Sequence, residues 1–187
     1  MTVNINLELT ARAHLASSTR KVHDALHKDP LLSKLTSPNL TAKEYYAALA
    51  AFGAFYFAIE SERKRIGVFE QFSLYRECEA LTRDLNPPFP SQPMIYLANE
   101  SELLGALYVA HGATFGRNTF RANVLKAMPG RQHQFISLQI VPNLWRELVD
   151  KLESHCKPEG ALEQMTAGAE RSFSYMQAAC IRSRQNG

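Results

Sequence analysis

Cysteine is scarce in this chain and poorly placed for crosslinking: Cys78, Cys156 and Cys180 are an odd number, far apart, with no CxxC pair. That pattern argues against a disulfide framework or a zinc ribbon and for a reducing compartment. Long hydrophobic runs are also missing. The longest, "YYAALAAFGAFYFAI", has about fifteen residues, short of the roughly twenty needed to cross a bilayer. The N-terminal "MTVNINLELTARAHL" has neither a basic segment leading into a long apolar run nor a small-residue cleavage site, so a cytoplasmic protein is expected. Net charge is only +3, with the basic residues scattered, which speaks against a nucleic-acid partner. No segment alternates apolar and polar residues long enough to predict a strand.

What the chain does have is helical periodicity in 187 residues that are 45% hydrophobic, enough for the core of one all-α domain spanning residues 1–187. The first helix is expected to run through His23 and stop before "KDPLLSKLTSPNLT", where Pro30 and Pro38 interrupt any regular pattern. Thr41 and Glu44 form a capping box that starts a second helix, Ala42 to about Arg65, apolar on most faces. A third is expected over roughly Glu70 to Leu85, ending at "NPPFPSQP", a turn or extended loop. Helical pattern resumes over Ser101 to Ala113, "MPGRQHQF" breaks it, and Pro142 to Cys156 and Gly160 to Arg182 supply two more helices.

Two segments carry chemistry. In "SSTRKVHDALH" the helical spacing puts Thr19, Val22, His23 and Leu26 on one face, so an imidazole lies along an apolar stripe and needs a partner. In "LGALYVAHGATFGRNTF", Gly112 and Gly116 are four apart and share a face, although each glycine costs a helix about 1 kcal/mol relative to alanine. Close packing of a neighbouring helix would account for them. So would a flat ligand lying on bare backbone and facing His23, such as an iron porphyrin, which takes an axial imidazole and has two broad apolar faces. Spacing alone does not separate these explanations.

"STRKVHDAL", "LTAKEYYAALAAFGAFYFAIE", "LGALYVAHGATFG" and "VPNLWRELVDKL" resemble, in order and separation, the bacterial heme oxygenases across most of the chain. The resemblance implies an all-α domain that sandwiches heme b between a proximal helix and a kinked, glycine-containing distal helix. It places the axial iron ligand at His23 and close approach to heme at Gly112 and Gly116. It implies cleavage of heme, both cofactor and substrate, to biliverdin with release of iron and CO, using O2 and electrons from an external reductase or ferredoxin. A bilin-accepting protein is a further implied partner. A neutral imidazole ligand suits oxidation of the ring, whereas a strongly anionic one favours O–O cleavage. Heme propionates require donors at the rim, for which the resemblance implies Arg20 first and Tyr108 and Arg146 after it.

Three positions depart from the family pattern. Arg117 stands where many members have a second glycine; its side chain must point out of the pocket, reach a propionate or obstruct the distal side. Ala113 replaces a water-anchoring aspartate of the mammalian-type enzymes, leaving Asn118, Thr114 and His111 as substitutes. His27 stands where some relatives have a glutamate that accepts the axial ligand's other ring proton, a part a second imidazole can also take. His23 and His27 are themselves at a metal-binding spacing, though two ligands alone make a poor zinc site. These departures keep open a protein that holds heme for storage, transfer or sensing without degrading it. A thiaminase-type hydrolase on the same fold would need a cysteine nucleophile near these segments, and a di-iron oxidase would need Glu-x-x-His pairs; the chain has neither.

Overall fold

The computed structural model describes residues 10–85, 93–131 and 133–186. They form seven α-helices, α1 (Ala11–His27), α2 (Ala42–Ile66), α3 (Tyr75–Asp84), α4 (Glu100–Ala127), α5 (Gln134–Ser137), α6 (Pro142–His155) and α7 (Ala161–Asn186), with short 3-10 turns at Leu32–Thr36 and Glu70–Phe72. There is no strand among the described residues.

Local chemistry explains most of the boundaries. Thr10 caps α1 by accepting from the Ala13 amide, and the Glu153 carboxylate of α6 accepts from the amides of Ala11 and Arg12 at 2.8 and 3.1 Å. A negative charge thus sits on the positive end of the helix dipole and satisfies donors that have no partner within the helix. The capping box of α2 is formed as expected, and the helix ends at Gly67 in the left-handed region, φ 81°. Pro142 opens α6 in the first turn, where its missing N–H costs nothing.

Two expectations are corrected. The third helix does not begin at Glu70. The chain makes one 3-10 turn there and restarts at Tyr75, because Glu60 of α2, already paired with Arg63, accepts from the Ser73 hydroxyl at 3.0 Å and the Leu74 amide at 2.9 Å. A carboxylate from another helix therefore fixes the entry to α3. The helix expected over Ser101 to Ala113 runs on to Ala127, since Gly105, Gly112 and Gly116 all keep negative φ and helical assignment continues through them. The loop expected at "NPPFPSQP" lies, apart from Pro93, outside the described residues.

The core is organised on α7, which packs against α1, α2 and α4. Helices α4 and α7 cross at two glycines: a Cβ on Gly105 would run into the Met165 carbonyl, and one on Gly168 into the Glu102 carbonyl. Leu103, Leu104 and Leu107 of α4 and Met165, Ala169 and Met176 of α7 are buried in the same core. Each buried leucine and methionine among them contributes about 1.5–3 kcal/mol. No helix among the described residues is long and apolar enough to cross a membrane.

Candidate functional site

Helices α1 and α4 have little direct packing with one another, yet they are tied together at both ends. At one end α6 bridges them: Glu153 caps α1, and the Trp145 ring packs 5.6 Å from Tyr108 and 5.2 Å from Phe115 of α4. Burial pushes the Tyr108 phenol up, and the nearby charge of Arg12 in the first turn of α1 opposes it. At the other end the Asn123 amide of α4 donates to the carbonyls of Leu35 and Ser37, in the turn that follows α1. His23 falls about midway along the first tied span, and Gly112 and Gly116 fall within the second.

His23 is not buried on the apolar stripe as expected. Thr19 is buried and Val22 and Leu26 are half-buried, but the His23 side chain is 53% exposed, with the Phe173 ring of α7 edge-on at 6.1 Å. Its Nδ1 lies 3.2 Å from Asp24 Oδ1, and its Nε2 lies 3.1 Å from His27 Nε2. This corrects the part expected of His27. The carboxylate on Nδ1 comes from the adjacent Asp24, while His27 touches the nitrogen that would face iron. When Nδ1–H donates to Asp24, Nε2 keeps its lone pair and accepts from His27. Residues i and i+1 do not share a helix face, so helical spacing passed over Asp24 as a partner.

The α4 glycines fall into two kinds. Gly105 is demanded by protein packing, as described above. At Gly112 an added Cβ would rest 3.7 Å from the Trp145 ring, an ordinary contact, and at Gly116 it would meet nothing within 4 Å. Neither uses positive φ. With Tyr108 and Phe115 they form a stripe at helical spacing in which side chains are withheld without any protein neighbour requiring it. A bare backbone strip with aromatic walls on one helix, and an exposed imidazole on the helix tied to it, fits a flat apolar ligand that offers a coordination site.

The opposite face of α4 holds the polar residues. Arg117 is 2% exposed, over the Phe135 ring at 5.0 Å, with its Nη1 3.6 Å from the Glu77 carboxylate of α3 in an ion pair but with no hydrogen bond to either Nε or Nη1. Of its three expected dispositions this is the first: it points out of the Gly112–Gly116 face, so it neither obstructs that face nor serves as a rim donor. Carboxylate and aromatic neighbours hold the cation there. His111 is buried, with Nε2 3.0 Å from the Phe72 carbonyl, and burial holds its pKa below the ordinary imidazole value. The Thr114 hydroxyl donates to the His111 carbonyl at 2.6 Å, and Asn118 is exposed. Arg20 is exposed on α1 with no hydrogen bond or ion pair to the described residues, and Arg146, exposed on α6, donates to Asn143.

Other chemistries lack their parts here. Burial pushes the Cys78 and Cys180 thiols up to about 12, far from nucleophilic thiolates, and the Cys156 S–H donates to the Glu153 carbonyl. Among the described residues no three His, Cys, Asp or Glu side chains are grouped to hold a metal ion.

No family model matches the sequence, and no curated protein matches it. Solved structures do. The heme oxygenase of Neisseria meningitidis, determined with NO and CO bound, is 19% identical, with a TM-score of 0.69 over 94% of this chain and 92% of that one. The heme oxygenase of Leptospira interrogans is 16% identical, with a TM-score of 0.71 over 92% of this chain and 99% of that one. The chain has the all-helical fold of these heme oxygenases.

Proposed function

We propose that this chain, on its heme oxygenase fold, binds heme between α1 and α4 and cleaves it to biliverdin, with release of iron and CO. The observation that carries this reading is the contrast among the α4 glycines: Gly112 and Gly116 withhold side chains where no protein neighbour requires it, in the span tied to the one that bears His23. Heme, once bound, supplies the iron that activates O2 for oxidation of its own ring, with electrons from an external reductase or ferredoxin.

The chain's residues have defined parts in this proposal. His23 Nε2 would hold the heme iron, and Asp24 on Nδ1 would fix the ring's tautomer and orientation. Because Asp24 is exposed and 3.2 Å away, its hydrogen bond is modest and the ligand keeps neutral-imidazole character. Gly112 and Gly116 admit the porphyrin to the helix backbone, and Trp145, Phe115 and Tyr108 wall one side of it. Among the described residues no acid lines that stripe, and His111 and Thr114 are bonded on the core side, so water would carry protons to that face. Arg20, one turn before His23, has its guanidinium uncommitted and is the first propionate donor, with Tyr108 and Arg146 as the others. Charge-assisted bonds of this kind contribute about 1.5–3 kcal/mol each.

The test is an optical time course of hemin-loaded protein before and after ascorbate is added in air with catalase present. The expected result is loss of the Soret band with growth of biliverdin absorption in the red. A stable Soret band would instead assign heme holding without degradation, and the lack of any bound Soret band would remove heme from the account. His23→Ala should leave the far-UV circular dichroism unchanged while abolishing the histidine-ligated spectrum. An unchanged spectrum would remove His23 as the ligand.

A further inference from the structure

The fold and the heme reading leave one contact unexplained, the meeting of two exposed imidazoles through the same ring atom. His23 and His27 stand one helical turn apart, with ring centroids 4.4 Å apart and Nε2 to Nε2 3.1 Å. This is the one imidazole pair in ring contact among the described residues, and both rings are exposed on α1. We propose that His23 and His27 together form a binding site for a divalent transition-metal ion of the imidazole-preferring class, Cu2+, Ni2+ or Zn2+.

The geometry fits before any rearrangement of the helix. Two imidazole nitrogens at about 2.0–2.1 Å from one ion, at ligand angles between square and tetrahedral, stand about 2.9–3.4 Å apart. The observed 3.1 Å lies in that interval, so a rotation of the two rings that turns both lone pairs to one point beside the N–N line lets one ion replace the hydrogen bond. Asp24 on His23 Nδ1 supplies the carboxylate behind the ring that commonly orients a ligating histidine and raises its basicity. Exposure leaves the remaining coordination positions to water. With no third protein ligand grouped there, the site is reversible and responds to free metal. Affinity should follow the general order for nitrogen sites, with Cu2+ tightest.

The site uses the same Nε2 that the proposed heme ligation uses, so metal and heme exclude one another at His23. That consequence alone rests on the heme reading. It would make heme uptake sensitive to free transition metal through a residue, His27, that heme ligation itself does not require.

The experiment is calorimetric titration of CuCl2, NiCl2 and ZnCl2 into the heme-free, untagged chain, with electron paramagnetic resonance of the Cu2+ form. One ion per chain with two-nitrogen hyperfine structure is expected. His27→Ala and His23→Ala should each weaken binding by at least about tenfold, and Asp24→Asn by about 10-fold, the lower end for an outer partner. His155→Ala, away from the pair, should change nothing. Lack of stoichiometric binding, or equal affinity in wild type and His27→Ala, would overturn the site. Saturating Zn2+ should then raise the apparent hemin Kd of wild type but not of His27→Ala, which keeps His23. Metal binding that left hemin binding by wild type untouched would overturn the exclusion, and with it His23 as axial ligand, while the metal site stood.

Discussion

The two faces of α4 are built by opposite means. Toward α3, α5 and α7 every position is filled: Arg117 is pressed between Phe135 and Glu77, His111 is bonded to Phe72, and Gly105 is a glycine because the Met165 carbonyl occupies the space a side chain would need. Toward α6, a Cβ would have room at both Gly112, where it would rest 3.7 Å from the Trp145 ring, and Gly116, where it would meet nothing within 4 Å. One residue type thus has two meanings in one helix, and only the surroundings distinguish them. A glycine against backbone is a packing requirement, whereas at a glycine against open space no protein neighbour requires the missing side chain.

The largest expected effect is on the filled face. Glu77→Gln removes the one carboxylate paired with the buried Arg117 guanidinium among the described residues, leaving an uncompensated charge, and should cost about 3–5 kcal/mol in urea unfolding. A loss below about 1 kcal/mol would show that Arg117 is satisfied without Glu77 and would weaken the contrast. Gly105→Ala comes next: its Cβ meets backbone, which cannot turn away, so a loss of about 1–3 kcal/mol is expected in the same measurement. Gly116→Ala should act with the opposite sign, raising stability by about 1 kcal/mol through helix propensity while lowering hemin affinity. A destabilised Gly116→Ala would mean that protein packs there after all.

The smallest effect is in pH. Burial lowers the His111 pKa in the folded state, so below the ordinary value of 6.5 the unfolded chain takes up the proton first. Stability contributed by neutral His111 is therefore full above pH 6.5 and is lost as pH falls toward the folded-state value. His111→Gln should flatten the stability profile on the acid side of 6.5, and an unaltered slope would place the titration elsewhere.

How much of this was legible beforehand differs residue by residue. The Thr41–Glu44 capping box, the ends of α2 and α6 and the start of α7 were readable because the signals are local: a hydroxyl and a carboxylate three apart, a proline in the first turn, a glycine at a boundary; α7 itself runs on past the expected Arg182 to Asn186. The entry to α3 was not readable, because the group that fixes it, Glu60, lies on another helix. At the site, His23, Gly112 and Gly116 were legible as candidates from spacing. Asp24 was not, because adjacent residues do not share a helix face and helical spacing therefore passes over it; Trp145 and the core-facing disposition of Arg117 were not, since each depends on which neighbour arrives from elsewhere in the chain.

By itself the sequence determined an all-helical chain, because periodicity and capping act within a few residues. It also determined which side chains were offered for chemistry. Only the tertiary structure decided which glycines are packed and which are bare, that Arg117 turns away from the bare strip, and that His23 is half exposed between Asp24 and His27. The first two are outcomes of contacts between distant segments, set by which surfaces the crossing of α4 and α7 and the bridge of α6 bring together, while the His23 contacts are local to α1 and depend on side-chain orientations that helical spacing does not fix.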